Sequence, residues 1–200
     1  MELEIKLASP LILIGILAFA AILVDAFTGK NKKPMFPFAV IGLSIAGLAA
    51  IWTMTFPSEM IDKLEPADSV ARGMIVYGGY SAFFDLLFIL AAIMTIFSAK
   101  PYLVREEYEQ KEFYSLIIYA VAGMMLIAHT GNLLMLFIGI EIMSLCFYIL
   151  AGYFRKNEKS VEAALKYFLL GAFATGFLLY GMAMIYGGSG SFDLAVISAK

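Results

Sequence analysis

Asn132–Phe154 reads NLLMLFIGIEIMSLCFYILAGYF, with Glu141 as its one charged side chain. A helix needs about 20 mostly apolar residues to cross a hydrocarbon core about 30 Å thick, and this stretch is long enough. Glu141 stands about nine residues in, roughly 13 Å along at about 1.5 Å per residue, and so near the middle of a bilayer. Ser144 and Tyr148 follow at i+3 and i+7 and share its helix face. An ionisable group inside a span costs roughly 2.5–3.5 kcal/mol on insertion scales, which makes it a candidate functional group. A carboxylate with two hydroxyls on one stripe suits a proton relay: burial raises its proton affinity and a nearby lysine lowers it. The competing reading is a protonated glutamate hydrogen-bonded to a neighbouring helix.

Five further spans flank this one. Reading between charges places helices at about 7–27, 35–56, 75–98, 113–129, 132–154 and 161–187. The fourth and fifth come from one uncharged run that breaks at His129-Thr130-Gly131-Asn132, a turn-like cluster. The sixth stops at Gly187-Gly188-Ser189-Gly190. The N-terminus, Met1-Glu2-Leu3-Glu4, lacks the basic region of a signal peptide, and Lys30, Lys32 and Lys33 follow the first apolar run. That pattern predicts a retained span with its N-terminus outside. The inner loops are then 29–33, 99–112 and 155–160, and they hold nine of the 14 basic residues. The longest outer loop, 57–72, carries Glu59, Asp62, Glu65 and Asp68.

The whole chain agrees with this reading. It has 200 residues, 62% hydrophobic and 15% charged, with a mean hydropathy of +0.88. A soluble domain is typically about 45–50% apolar and about 25% charged, so a water-soluble enzyme is excluded, as is disorder. The single cysteine, Cys146, excludes an internal disulfide, and a Cys-ligated iron–sulfur cluster needs about four. The single histidine, His129, excludes a bis-His haem. A net charge of −2 gives no basic patch for nucleic acid. The expected fold class is an all-α integral membrane protein of six transmembrane helices in one domain. Small residues four apart (Gly42/Ala46, Ala46/Ala50, Gly171/Thr175, Ala172/Gly176) favour close helix packing.

The other ionisable groups in the spans are Asp25, Asp85, His129, Glu162 and Lys166. Glu162 and Lys166 are i and i+4, in the better order for a helix pair. The alternative is an ordinary pair in the first turns, with Ser160 as N-cap and the Lys166 amine reaching back to the interface. Asp85 could pair with Lys166, line a water path, or donate as a protonated acid. Asp25 reads as an interfacial charge near Lys30 and Lys32. His129 is either structural or part of a proton exit, and Cys146 a packing residue. The aromatic residues are expected mostly at the interface or facing lipid.

The stretch Glu112–Ser191 carries a resemblance. GMMLIA (123–128) is followed by NLLMLFIGIEIMSL (132–145), YILAGY (148–153), a basic loop, SVEAALKYFLLGAF (160–173) and LLYGMAMIYGGSGS (178–191). In order and spacing these closely resemble the subunit N family of proton-pumping NADH:quinone oxidoreductase (respiratory complex I), one of the antiporter-like subunits. Residues 1–111 match more weakly, through LVDAF (23–27) and SAKPYL (98–103). The resemblance implies inverted repeats of five helices. It places the family's helix-five glutamate on Glu141 and its helix-six Glu-x-x-x-Lys on Glu162 and Lys166, groups that carry protons through a half-channel and a mid-membrane polar axis. Asp85, His129, Ser144 and Tyr148 remain possible parts of a proton path.

The family's helix-seven lysine lies beyond Lys200, so the chain is expected to be the N-terminal part of a longer subunit. The complex so implied uses NAD, FMN, iron–sulfur clusters and quinone, none of them expected in this chain. Its partners are the other membrane-arm subunits and the lipid bilayer, with no nucleic acid. Its place is a bacterial-type inner membrane. A subunit of a cation/proton antiporter or of a membrane-bound hydrogenase shares the same charges and is the alternative. A purely structural membrane subunit is disfavoured by Glu141.

Overall fold

In the computed structural model the described residues are 2–28, 34–56, 74–106, 108 and 111–200. They form eight helices: α1 (Glu2–Leu7), α2 (Ser9–Thr28), α3 (Met35–Thr53), α4 (Gly79–Arg105), α5 (Lys111–Ala128), α6 (Leu133–Ala151), α7 (Glu158–Ser189) and α8 (Leu194–Ser198). Six of them, α2 to α7, are long and apolar enough to cross a membrane. This is an all-α membrane protein, and its described residues hold two isolated β-bridges and no strand. The loops at 29–33 and 57–72, on whose charges the expected orientation rests, lie outside the described residues.

Local chemistry sets several boundaries differently from a hydropathy reading. The first apolar run is the single helix α2, and the charged segment ahead of it forms the short helix α1, interrupted from α2 at Ala8, where Pro10 has no N–H to give to the preceding turn. α4 runs on to Arg105 through Pro101, so most of the expected loop 99–112 is helical. Its added turns are anchored by buried Leu103 and by Lys100, whose ammonium lies 3.4 Å from the centroid of the Phe36 ring. α7 is 32 residues long, about 48 Å at about 1.5 Å per residue, which exceeds the hydrocarbon core. Its N-cap is Asn157, whose side chain accepts from the Lys159 N–H, and not Ser160. The Ser160 hydroxyl instead donates to the Ala151 carbonyl at 2.7 Å, tying α7 back to the end of α6. Gly190 closes α7 with φ 71°, a left-handed cap that favours glycine.

α5 is the centre of the bundle. It packs against α2, α3, α4 and α6, and Tyr114, Ile118, Val121 and Met125 on it are fully buried. Tyr114 is thus an aromatic in the core, not at the interface or in lipid. Two cross-ties fix α2 on α5: the Tyr119 hydroxyl donates to the Ala18 carbonyl at 2.9 Å, and Lys111 pairs with Asp25 at 2.8 Å. Lys30 and Lys32, the expected neighbours of Asp25, lie outside the described residues; its partner among the described residues is Lys111.

α5 and α6 form the tightest pair. A Cβ added at Gly123 would stand 2.8 Å from both the Gly139 carbonyl oxygen and the Met143 nitrogen. One added at Gly139 would stand 2.7 Å from Ile127 Cγ1 and 3.0 Å from the Gly123 oxygen. Two glycines therefore let the backbones touch. The expected small-residue pairs divide: Ala46 and Ala50 are buried and Gly42 lies under Leu17, whereas Ala172 and Gly176 are exposed.

Gly123→Ala is expected to destabilise the bundle by roughly 1–3 kcal/mol, since the atoms in the way are backbone. Gly15→Ala, where nothing lies within 4 Å, should leave stability unchanged or slightly raised. Thermal unfolding of the two variants in detergent, side by side, checks the contrast.

Candidate functional site

Asn132 starts the helix that carries Glu141. Its side-chain oxygen accepts from the Leu134 N–H at 2.9 Å, which caps α6. α6 and α7 then run antiparallel along one continuous contact. Near its Ala151 end, an added Cβ at Gly152 would stand 2.8 Å from Ala164 Cβ. One turn further in, the Tyr148 ring packs edge-on against Tyr167 and Phe168, with centroids 4.7 and 5.7 Å apart. The Tyr148 hydroxyl lies over Gly171, where any Cβ would collide with it at 1.9 Å. Deeper still, the Thr175 hydroxyl donates to Glu141 Oε1 at 2.9 Å. The half-buried Glu141 therefore sits mid-helix in the α6–α7 interface with a hydroxyl donor from the neighbouring helix. Ser144 is half-buried one turn beyond it.

Thr175 is the partner that a reading of charges overlooked. The signal was its small-residue spacing from Gly171, which marks the face of α7 against α6. Ala164, Gly171, Thr175, Leu178 and Met182 are the less exposed positions there, at spacings of seven, four, three and four.

Glu162 and Lys166 do form their i,i+4 ion pair. Its side chains are 61% and 70% exposed, so the pair faces away from α6. Thr175 follows Lys166 by nine residues, about two and a half turns and roughly 14 Å along the axis. The pair thus lies on the opposite side of α7 from Glu141, and the structure does not bring the two together.

Asp85 and His129 come together instead. His129 Nε2 is 2.8 Å from Asp85 Oδ2, and His129 Nδ1 is 3.2 Å from the Val76 carbonyl oxygen. Both side chains are buried, at 0% and 2% exposure. Asp85 therefore pairs across α4 and α5 and not with Lys166, and His129 is a core residue with two partners. Cys146 is buried as a packing residue. The described residues hold no group of three or more His, Cys, Asp or Glu placed to share a metal ion.

Residues 130–200 match the family model described as NADH:quinone oxidoreductase/Mrp antiporter, transmembrane. The chain is 36% identical over 196 residues to NADH-quinone oxidoreductase subunit N of Salinibacter ruber, covering 98% of this chain and 37% of that protein. Over nearly its whole length it is similar to antiporter-like membrane subunits. Subunit N of Trichlorobacter lovleyi is 38% identical over 98% of this chain and 39% of its own length. The chain thus spans less than two fifths of these curated relatives. Among solved structures, respiratory complex I from Thermus thermophilus with bound aureothin contains a chain that superposes with a TM-score of 0.72 at 33% identity, over 92% of this chain and 38% of that one. An archaeal membrane-bound sulfane sulfur reductase superposes equally well, with a TM-score of 0.72 at 21% identity, over 98% of this chain and 39% of that one, and so shares the antiporter-like fold.

Removing the hydroxyl at Thr175 while keeping its shape tests the Glu141 contact. Thr175→Val should cost about 1–2 kcal/mol, because the carboxyl loses a hydrogen-bond donor in an apolar setting. Thr175→Ser should recover most of that, and denaturation midpoints of the three proteins decide it.

Proposed function

We propose that this chain is the N-terminal part of a proton-translocating membrane-arm subunit of NADH:quinone oxidoreductase, which couples quinone reduction by NADH to proton pumping. Glu141 is the group that takes up and releases the proton. The observation that carries this reading is a carboxyl eight residues into a 19-residue apolar span, held by Thr175 on the next helix. A carboxyl in hydrocarbon changes its proton affinity strongly when a nearby charge or donor moves. Thr175 supplies a fixed donor, and a moving cation elsewhere in the subunit supplies the drive.

Glu162 and Lys166 enter on the far face of α7. Of the residues of α7, Met182 and Ser189 are buried, while Leu169, Leu170, Phe173, Phe177 and Tyr180 are exposed. We assign that bare apolar face, with its ion pair, to contact with the remaining helices of a longer subunit. The pair then faces the next part of the proton path, and α7 separates it from Glu141. Ser144 and Tyr148 line the α6 side of the same path.

The reading places the chain in a bacterial-type inner membrane with its N-terminus outside, among other membrane-arm subunits and lipid. NAD, FMN, iron–sulfur clusters and quinone serve the complex, and this subunit carries no redox centre of its own. A subunit of a cation/proton antiporter or membrane-bound hydrogenase is the second reading, supported by the fold shared with the sulfane sulfur reductase chain. Peripheral flavin and iron–sulfur subunits co-purifying with the chain separate the first reading from an all-membrane antiporter.

Glu141→Gln in the full-length subunit within the assembled complex should lower the number of protons pumped per electron pair. Pumping in sealed vesicles is measured against electron transfer in the same preparation. Full stoichiometry with normal assembly would remove Glu141 from the path.

A further inference from the structure

The buried Asp85–His129 pair sits where three segments meet. The Val76 N–H donates to the His129 carbonyl at 2.7 Å, and the Gly131 N–H donates to the Met74 carbonyl at 2.9 Å. Residues 74–78 are thereby zipped to the turn between α5 and α6, with Ile75 and Thr130 bridged. On the other side of the same turn, the Leu133 N–H donates to the Phe192 carbonyl and the Leu194 N–H to the Gly131 carbonyl, both at 2.9 Å. Asp85 reaches His129 from α4, so one imidazole connects α4, α5 and the 74–78 segment.

Counting hydrogens fixes the proton content of this cluster. The Val76 oxygen can only accept, so the contact at Nδ1 requires an Nδ1–H. The contact at Nε2 then requires one further proton, shared with Asp85 Oδ2: either imidazolium with carboxylate, or neutral imidazole accepting from the protonated acid. With that proton gone, a neutral imidazole has a single N–H and cannot serve both partners. It cannot leave Asp85, whose Oδ1 is already buried without a hydrogen bond, because a bare carboxylate at 0% exposure is the costlier loss. The remaining hydrogen therefore moves to Nε2, and the Val76 carbonyl loses its donor.

We propose that Asp85 and His129 form a one-proton binding site at the Gly79 end of the bundle, and that releasing its proton to water unlatches residues 74–78 from the α5–α6 turn. The site does not rest on the role given to Glu141, and its test reads backbone exchange and not pumping. Tyr77 packs its ring against His129 with centroids 6.3 Å apart. Burial pushes the Tyr77 phenol up, and the Glu4 carboxylate of α1 adds to this, so Tyr77 stays neutral where a histidine titrates. Among the described residues, Glu4, buried in α1, and Asp193, bridged through its backbone to Asn132, are further acids at this end.

Hydrogen exchange of the assembled complex, read by mass spectrometry on peptides covering 74–80 and 129–134, tests this between about pH 5 and about pH 9. Corrected for intrinsic rates, protection at Val76 and Gly131 should fall about tenfold as pH rises, the size expected for one lost hydrogen bond. His129→Gln and Asp85→Asn should abolish the pH dependence, and Glu4→Gln should leave it in place. A flat wild-type profile overturns the proposal, whether or not the variants assemble. So does a transition that survives in both pair variants or disappears in Glu4→Gln.

Discussion

The backbone contact between Gly123 and Gly139 is the constraint on which the rest of the site depends. α5 is held by α2, α3 and α4, with its core residues fully buried. α6 inherits its position from α5, and the two glycines set how near it comes. α7 in turn packs along α6 and adds little burial of its own. The place of Glu141 opposite Thr175 is therefore the last step of a chain that starts in the α2–α5 core. In a bilayer, where lipid is as apolar as leucine, such van der Waals contact takes the part that hydrophobic burial plays in water.

That order explains how charge is distributed. The well-buried ionisable pair, Asp85–His129, lies inside the packed part, at the end where 74–78 and 191–194 close over the turn. The half-buried Glu141 lies at the α6–α7 contact, and the exposed Glu162–Lys166 pair lies beyond it. Polar groups become more exposed as one moves outward from α5. An uncovered ion pair within an apolar helix is expensive in lipid, so the bare face of α7 is better understood as an interface with further protein than as a lipid-facing wall.

Much of this was legible from residues, for physical reasons that differ by element. The six spans follow from the separation of charge, since about 20 apolar residues are needed to cross. The break between α5 and α6 was readable because His129-Thr130-Gly131-Asn132 combines a glycine with a capping asparagine. Helix ends were less legible, because the charged segment before the first apolar run forms a short helix of its own and α4 runs on past the expected end, where Lys100 lies over the Phe36 ring. Partners were least legible. Asp85 with His129 is a contact across 44 positions and Lys111 with Asp25 one across 86, and neither follows from helical spacing. Spacing found the Glu162–Lys166 pair because it is local, and that same locality says nothing about which face of α7 meets α6.

The 129–133 turn links the Asp85–His129 pair to the start of α6. On its α5 side stands His129, bound to Asp85 and Val76. On its α6 side stands Asn132, the cap of the helix that holds Glu141. A change in pairing at 74–78 acts on the backbone at 129 and 131, and so on the start of α6. α6 is clamped to α5 at Gly139, seven residues past that cap and two before Glu141. Motion from the turn therefore meets a rigid contact before it reaches the carboxyl, as expected of a dense interior that transmits strain but deforms little. The Asp85–His129 site and Glu141 are thus separated by a fixed point. Any coupling between them must pass through the electrostatics of the bundle or through α7, whose last turn is linked to the same turn by residues 192–194.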